Sequence, residues 1–195
     1  MARQSCRFSA AVLAGGLSSR MGRDKAALPF GGTTLLAFQV NKLRALGIED
    51  IMISGSEQQI PGTRPIPDVY PHRGPLSGIH ACLAEAKGDA VLFLGVDTPL
   101  IPPEALQALL SAHENGVTLL RHGERTEPLI GVYDAALAPF CGEILQGEHT
   151  GVWQLLNRAE VKALPVDTDE TVFLNGNTPE EYAQLLQLWE RNDRP

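Results

Sequence analysis

Apolar runs alternate with segments of helical periodicity along nearly the whole chain, starting with the strand-like stretch Phe8 to Leu13. Thr34 to Leu46 then carries Leu35, Leu36, Val40 and Leu43 on one helical face, with Gly47 as its C-terminal stop. Asp50 to Ser54 predicts a second strand, and Pro61 to Pro75, with five prolines and little periodicity, predicts a long loop. A helix is expected over Leu76 to Ala86. The continuous apolar run Ala90 to Val96 predicts a strand buried on both faces near the middle of a sheet. Pro102-Pro103 opens a helix reaching about His113. Further strands are expected at Val117 to Leu120, Leu129 to Tyr133, Val161 to Pro165 and Val172 to Leu174, with helices near Leu137 to Gln146 and Gly151 to Asn157. Thr178-Pro179-Glu180-Glu181 is a helix start, with Thr as N-cap, Pro in the first turn and Glu three residues past the cap, and this helix should end near Trp189.

This alternation predicts an α/β fold: a Rossmann-like, three-layer α/β/α arrangement with a mostly parallel sheet. No linker or internal repeat interrupts it, so residues 1–195 are expected to form a single domain with its core at about 8–190. A hydrophobic content of 44% is enough for a sizeable core. The net charge of -7 argues against nucleic acid or an anionic membrane as partner, so an anionic substrate must be met by a local basic site. Cys6, Cys82 and Cys141 form neither a disulfide framework nor a Cys-x-x-Cys site, and no apolar run approaches membrane-spanning length or a secretory signal. A soluble, cytoplasmic protein is expected.

Such a basic site directly follows the first strand. Val12 to Lys25 sets Gly15, Gly16 and Gly22 among Arg20, Arg23 and Lys25. Glycines let the backbone approach an anion and adopt positive φ, and the three cations supply the charge that a triphosphate needs. The spacing is neither Gly-x-x-x-x-Gly-Lys-Ser/Thr nor Gly-x-Gly-x-x-Gly, which argues against P-loop and dinucleotide-binding readings. A bland strand-to-helix turn also collects Gly and Ser; the density of cations favours the anion site.

In an open parallel sheet, ligands sit beyond the carboxyl ends of the strands. Four places qualify: the loop from Leu13 to Lys25, Ser54, Asp97-Thr98-Pro99, and Asn175-Gly176-Asn177. Asp97 after the central apolar run suits a hard divalent cation, since Mg²⁺ takes one or two carboxylates plus phosphate oxygens and water; the alternative is an Asp that caps the following turn. By itself, Asp68 reads as a loop residue between prolines. Arg121 to Arg125 reads as a solvated hairpin turn, with contact to a second substrate as the alternative. The five histidines lack metal-ligand spacing, and no Ser or Cys shows a nucleophile context. Trp153 and Trp189 lie in helical patterns and are expected to pack.

Leu13-Ala14-Gly15-Gly16, Ser18, Arg20-Met21-Gly22 and Asp24-Lys25-Ala26 together are similar to the signature of molybdenum cofactor guanylyltransferases. The related cytidylyltransferases typically read Leu-Ala-Ala-Gly and usually lack an Asp before the Lys, so Gly15 and Asp24 point to the guanylyl branch. The resemblance runs from Phe8 to about Leu188. It puts Asp97-Thr98-Pro99-Leu100 where the family carries its metal-binding Asp, and Asp68 ahead of Gly74-Pro75-Leu76-Ser77-Gly78, where an Asp contributes to the nucleotide site. Ser54 falls where many relatives have a nucleotide-contacting Asn. Asn175-Gly176-Asn177-Thr178-Pro179-Glu180 resembles the family's late Asn-x-Asn-Thr-Pro-Glu segment; by themselves these Asn read as turn formers, and the resemblance implies that Asn175 and Asn177 serve the second substrate, with Asn177 positioning the metal or the pterin phosphate.

The resemblance implies attack by the terminal phosphate of molybdopterin on the α-phosphorus of GTP. Arg20 and Lys25 would neutralise the triphosphate, Mg²⁺ on Asp97 would bridge phosphate oxygens, and the loop Leu13 to Gly16 would meet the nucleotide. Implied partners are GTP, molybdopterin and proteins of molybdenum insertion or molybdoenzyme maturation. The alternatives are a sister transferase using CTP or a sugar phosphate, and a noncatalytic nucleotide-binding module.

Overall fold

The computed structural model describes residues 6–15, 24–166 and 169–192. The apolar runs that open the chain become strands β1 (Phe8–Leu13), β4 (Ile51–Ser54) and β6 (Ala90–Gly95), and the amphipathic stretches become helices α1 (Leu35–Ala45), α2 (Pro75–Glu85) and α3 (Pro103–Ala112). The second half adds β7 (Val117–His122), β8 (Arg125–Asp134), α4 (Ala138–Gln146), α5 (Val152–Leu156), β9 (Val161–Pro165) and α6 (Pro179–Asn192). With β5 (Arg64–Ile66), a seven-stranded sheet forms in the order β5-β4-β1-β6-β8-β7-β9. Only β8 runs against the others, pairing antiparallel with both β6 and β7.

Alternation along β1 divides the interior. Ala10 and Val12 face one apolar layer with α1, α3 and Leu185 of α6, whereas Ala11 and Leu13 face another with α2, α4 and α5. Both faces of the central strands are therefore dry, which is why β6 is apolar at every position.

The helix start expected at Thr178 is present as a reciprocal box. Glu181 N donates to Thr178 Oγ1 at 3.2 Å, and Thr178 N donates to Glu181 Oε2 at 3.0 Å. The hairpin turn at Arg121 to Arg125 is also present, with Gly123 at φ 53° between β7 and β8.

Four expectations need correction. The segment Pro61 to Pro75 is not all loop, because β5 pairs with β4 inside it; Pro65 is tolerated because β5 is the sheet edge, where a missing N–H breaks no ladder on the open side. Val172 to Leu174 is not a strand. Asp169 Oδ1 accepts from Thr171 N at 2.9 Å and starts a 3-10 turn over Glu170–Phe173. The strand expected from Leu129 begins at Arg125 instead, across a register shift between Leu119 and Leu120. Trp189 packs against Phe30 and Phe38, with ring centroids 5.3 and 5.0 Å away, but Trp153 is 55% exposed. A small hairpin, β2 (Pro29–Phe30) and β3 (Thr33–Thr34), turns through Gly31 and Gly32 at φ 55° and 76°.

Two polar side chains are buried on α1: Gln39 and Lys42. Burial pushes the Lys42 ammonium down to about 7 from 10.5. Between those values the unfolded chain holds a proton that the folded chain has released, so stability rises with pH there. The native protein should therefore gain stability relative to Lys42→Met as pH rises from about 7 towards 10. Denaturant titrations at several pH values check this, and a flat difference would contradict it.

Candidate functional site

The strand register levels the ends of β1, β4 and β6: Leu13 pairs with Ser54 on one side and with Gly95 on the other. Adjacent strands lie about 4.8 Å apart, so residues that follow these three positions emerge side by side. From β1 the chain proceeds outward to β4 and β5, then returns to β6 on the other side of β1. That reversal opens a crevice beyond the strand ends, about 810 Å³ in volume.

Its floor is backbone. Ala14 N donates to Ser54 O at 2.8 Å and Val96 N donates to Leu13 O at 3.0 Å, which lashes the three exits together. Gly15 and Gly55 cross so closely that a Cβ on Gly55 would lie 2.2 Å from Gly15 Cα, and Gly55 has φ +78°. Only glycine fits at position 55.

On one wall, Ser54 Oγ donates to Asp68 Oδ1 at 3.1 Å. The first turn of α2 lies against this pair, since a Cβ on Gly78 would meet Ser54 Oγ at 2.5 Å. The Gly-Pro-Leu-Ser-Gly segment thus begins α2 and borders the crevice together, through Gly74, Pro75 and Gly78.

The opposite wall carries the charge. Asp24 Oδ1 accepts from Ala26 N at 3.0 Å, starting a 3-10 turn at Lys25, while Asp24 Oδ2 accepts from Gln58 Nε2 at 2.9 Å. Lys25 is thereby aimed inward. Its Nζ donates to Asn177 Oδ1 at 2.5 Å and lies 3.9 Å from Asp97 Oδ2. Asn177 N in turn donates to Glu181 Oε2 at 2.8 Å, and Gly176 N donates to Asp97 O at 3.0 Å. Burial raises the Asp97 carboxyl above the usual carboxylate range, with Glu181 and Glu127 adding to the rise and Lys25 opposing it. A carboxylate held at that cost is stabilised by any cation brought beside it.

Leu13, Ala14, Gly15, Lys25, Ser54, Asp68, Asp97 and Asn177 all line the one crevice. Asn175 does not: it is exposed, and the backbone of its neighbour Gly176 makes the contact with Asp97. Gly16 and Arg20 lie outside the described residues. Sequence reasoning missed Gly55, His72 and Leu129, which also line the crevice. The signal for Gly55 is its place immediately after a strand. His72 has φ 63°, uncommon for a residue other than glycine, and Leu129 lies in the stretch of β8 skipped by the register shift; neither has a local signal.

A model of the MobA-like NTP transferase domain matches residues 10–166. The chain belongs to this family of nucleotidyltransferases. A probable molybdenum cofactor guanylyltransferase of Carboxydothermus hydrogenoformans is 32% identical over 190 residues, covering 93% of this chain and 96% of that protein. The molybdenum cofactor guanylyltransferase of Xanthomonas euvesicatoria pv. vesicatoria is 31% identical, with 92% and 94% covered. Among solved structures, the molybdopterin-guanine dinucleotide biosynthesis protein A of Archaeoglobus fulgidus superposes with a TM-score of 0.79 at 22% identity, covering 94% of this chain and 99% of that one. A Mycobacterium tuberculosis protein solved in complex with manganese gives 0.72 at 22% identity, with 94% and 100% covered. These structures share the three-layer fold described above.

Proposed function

We propose that the chain works as one nucleotidyltransferase domain that moves GMP from GTP to molybdopterin, releasing pyrophosphate. The observation that carries this reading is the placing of Lys25 beside Asp97 and Asn177, at the level ends of β1 and β6, inside a crevice large enough for a nucleotide and a second ligand. The relatives' names supply the substrates.

A phosphate oxygen of molybdopterin forms a bond to the α-phosphorus of GTP as the bond to the β-phosphate oxygen breaks, and pyrophosphate leaves with that electron pair. The attacking phosphate is already ionised, so no protein base is required. Alignment and charge neutralisation do the rest. Lys25 neutralises charge that builds on the leaving phosphates, joined by Arg20 of the glycine loop. Backbone groups at Leu13 to Gly16 receive the nucleoside, with Ser54 and Asp68 on the far wall; Asn177 holds Lys25 towards the triphosphate and, with Asn175 at the rim, borders the place of the second substrate.

Mg²⁺ is the metal that this reading implies. The described residues hold no group of three His, Cys, Asp or Glu able to bind an ion unaided. One partly exposed carboxylate, Asp97, fits an ion that takes most of its ligands from phosphates and water. When bound, such an ion supplies Lewis-acid stabilisation of phosphate oxygens.

No helix among the described residues is long and apolar enough to cross a membrane. All three cysteines are free thiols, which suits work in a reducing cytoplasm, with molybdenum-insertion and molybdoenzyme-maturation proteins as partners.

Pyrophosphate release with Mg²⁺ and molybdopterin tests the reading. GTP is expected to be used about tenfold or more faster than CTP. Equal or faster turnover of CTP would reassign the chain to cytidylyl transfer, and release from neither would leave a nucleotide-binding module.

A further inference from the structure

Gln39 and Lys42 lie three residues apart on α1, on a face otherwise filled by Leu35, Leu36, Val40 and Leu43. Gln39 is 0% exposed. Burying an amide and an ammonium in an apolar layer is unfavourable unless every donor finds an acceptor, and a leucine at either place would pack with no such demand. Their acceptors all belong to one short segment. Gln39 Nε2 donates to Gly95 O at 2.7 Å and to Thr98 O at 3.1 Å. Lys42 Nζ donates to Pro99 O and Ile101 O, both at 2.7 Å.

That segment is the exit from β6 that carries Asp97. Past Val96, whose N still donates to Leu13 O, it has left the sheet ladder, so the carbonyls of Thr98, Pro99 and Ile101 need donors from outside the sheet. The two α1 side chains supply donors to its carbonyls, while Gly176 N holds Asp97 O. The lysine also sits 5.2 Å from the centroid of the Phe38 ring, which favours its cationic form.

We propose that Gln39 and Lys42 are positioning residues that fix the Gly95 to Ile101 segment so that the Asp97 carboxylate meets the metal–triphosphate complex. The proposal rests on the reading of Asp97 as the metal-binding carboxylate. Neither side chain touches substrate. They act through the backbone on which Asp97 stands, as outer partners act on the ligands they orient.

The test uses the full chain with Mn²⁺ as the metal probe. Free Mn²⁺ is counted by electron paramagnetic resonance in the presence of GTP, GTP binding is measured separately in chelator, and kcat is measured for Lys42→Met, Gln39→Met and Asp97→Ala. Both α1 variants are expected to weaken Mn²⁺ retention and lower kcat by about tenfold or more, leaving metal-free GTP affinity within about twofold of native. Gln39→Met removes only neutral hydrogen bonds and carries the test if Lys42→Met does not fold. Native-like Mn²⁺ retention and kcat in a folded α1 variant would overturn the proposal. So would a loss of metal-free GTP affinity as large as the loss of Mn²⁺, because that pattern marks general loosening. If Asp97→Ala itself retains native Mn²⁺ binding and turnover, the reading of Asp97 fails and the proposal falls with it. If Asp97→Ala loses both while the α1 variants lose neither, the positioning role alone fails.

Discussion

Lys25→Ala and Asp97→Ala are each expected to lower guanylyl transfer by about 10²–10³-fold or more while leaving the protein folded. The magnitude follows from what each group does. A preorganised charge aimed at developing phosphate charge is worth about 3–4 kcal/mol in a site from which water is partly excluded. Lys25 is only 17% exposed and Asp97 27%, so neither charge is fully screened by solvent. The two replacements should differ in their effect on the fold. Burial raises the Asp97 carboxyl from its ordinary value, which means that the folded protein holds the ionised form at a cost, and removing the side chain relieves it. Asp97→Ala should therefore unfold at the native temperature or slightly higher. Lys25→Ala leaves Asn177 Oδ1 without its donor and Asp97 without its opposing charge, so a small loss of stability is expected. Pyrophosphate release and thermal unfolding measure the two effects separately. Turnover within about tenfold of native in either variant would remove electrostatic stabilisation by this pair from the mechanism.

Much of this arrangement is readable in the chain because the relevant interactions are short in sequence. β1 and β9 coincide with the expected runs; β1 is a nearly continuous apolar stretch with few other places to go, whereas β9 carries Lys162 and lies largely exposed at the sheet edge. The capping box at Thr178 and the turn at Gly123 are likewise local chemistry. Spacing and resemblance identify the glycine loop, Asp97 and Asn177; Leu13 to Gly15, Lys25, Asp97 and Asn177 line the crevice, whereas residues 16–23 of the loop, with Gly16, Arg20, Gly22 and Arg23, lie outside the described residues.

What is not legible depends on distant partners. β5 is a strand only because β4 offers it an edge, and its prolines speak for a loop. Phe173 reads as part of a strand, but it sits in a 3-10 turn and stacks its ring on His122 at 4.2 Å. The burial of Gln39 and Lys42 shows the limit most clearly. A glutamine and a lysine on a helix normally mark its wet side, but here they share the buried face of Leu35, Leu36 and Leu43, and the acceptors that make this tolerable are carbonyls of a loop nearly sixty residues later. Asn175 is the opposite case: its spacing matches a functional pair, yet the side chain is exposed and the neighbouring backbone does the work.

Gly55→Ala is expected to have the second large effect, one that separates steric from conformational demands at the crevice floor. Two penalties coincide at this residue. A non-glycine residue at φ +78° costs about 1–2 kcal/mol. In addition, the new Cβ would lie 2.2 Å from Gly15 Cα and 2.4 Å from Gly15 N, and backbone atoms cannot rotate away as a side chain can. Gly32→Ala provides the comparison, because Gly32 has φ +76° and a methyl added there would meet nothing within 4 Å. It should lose about 1–2 kcal/mol and bind GTP as the native protein does. Gly55→Ala should lose about 1–3 kcal/mol more, the usual range for overpacking, and its GTP affinity should fall by at least about tenfold. Binding suffers most because the only relief available is to push Gly15 away from β4, and Gly15 lines the crevice where the proposed reading puts the nucleoside. Denaturant unfolding and GTP titration of the two variants make the comparison. Equal GTP affinity in both would mean that the Gly15–Gly55 crossing does not shape the nucleotide site.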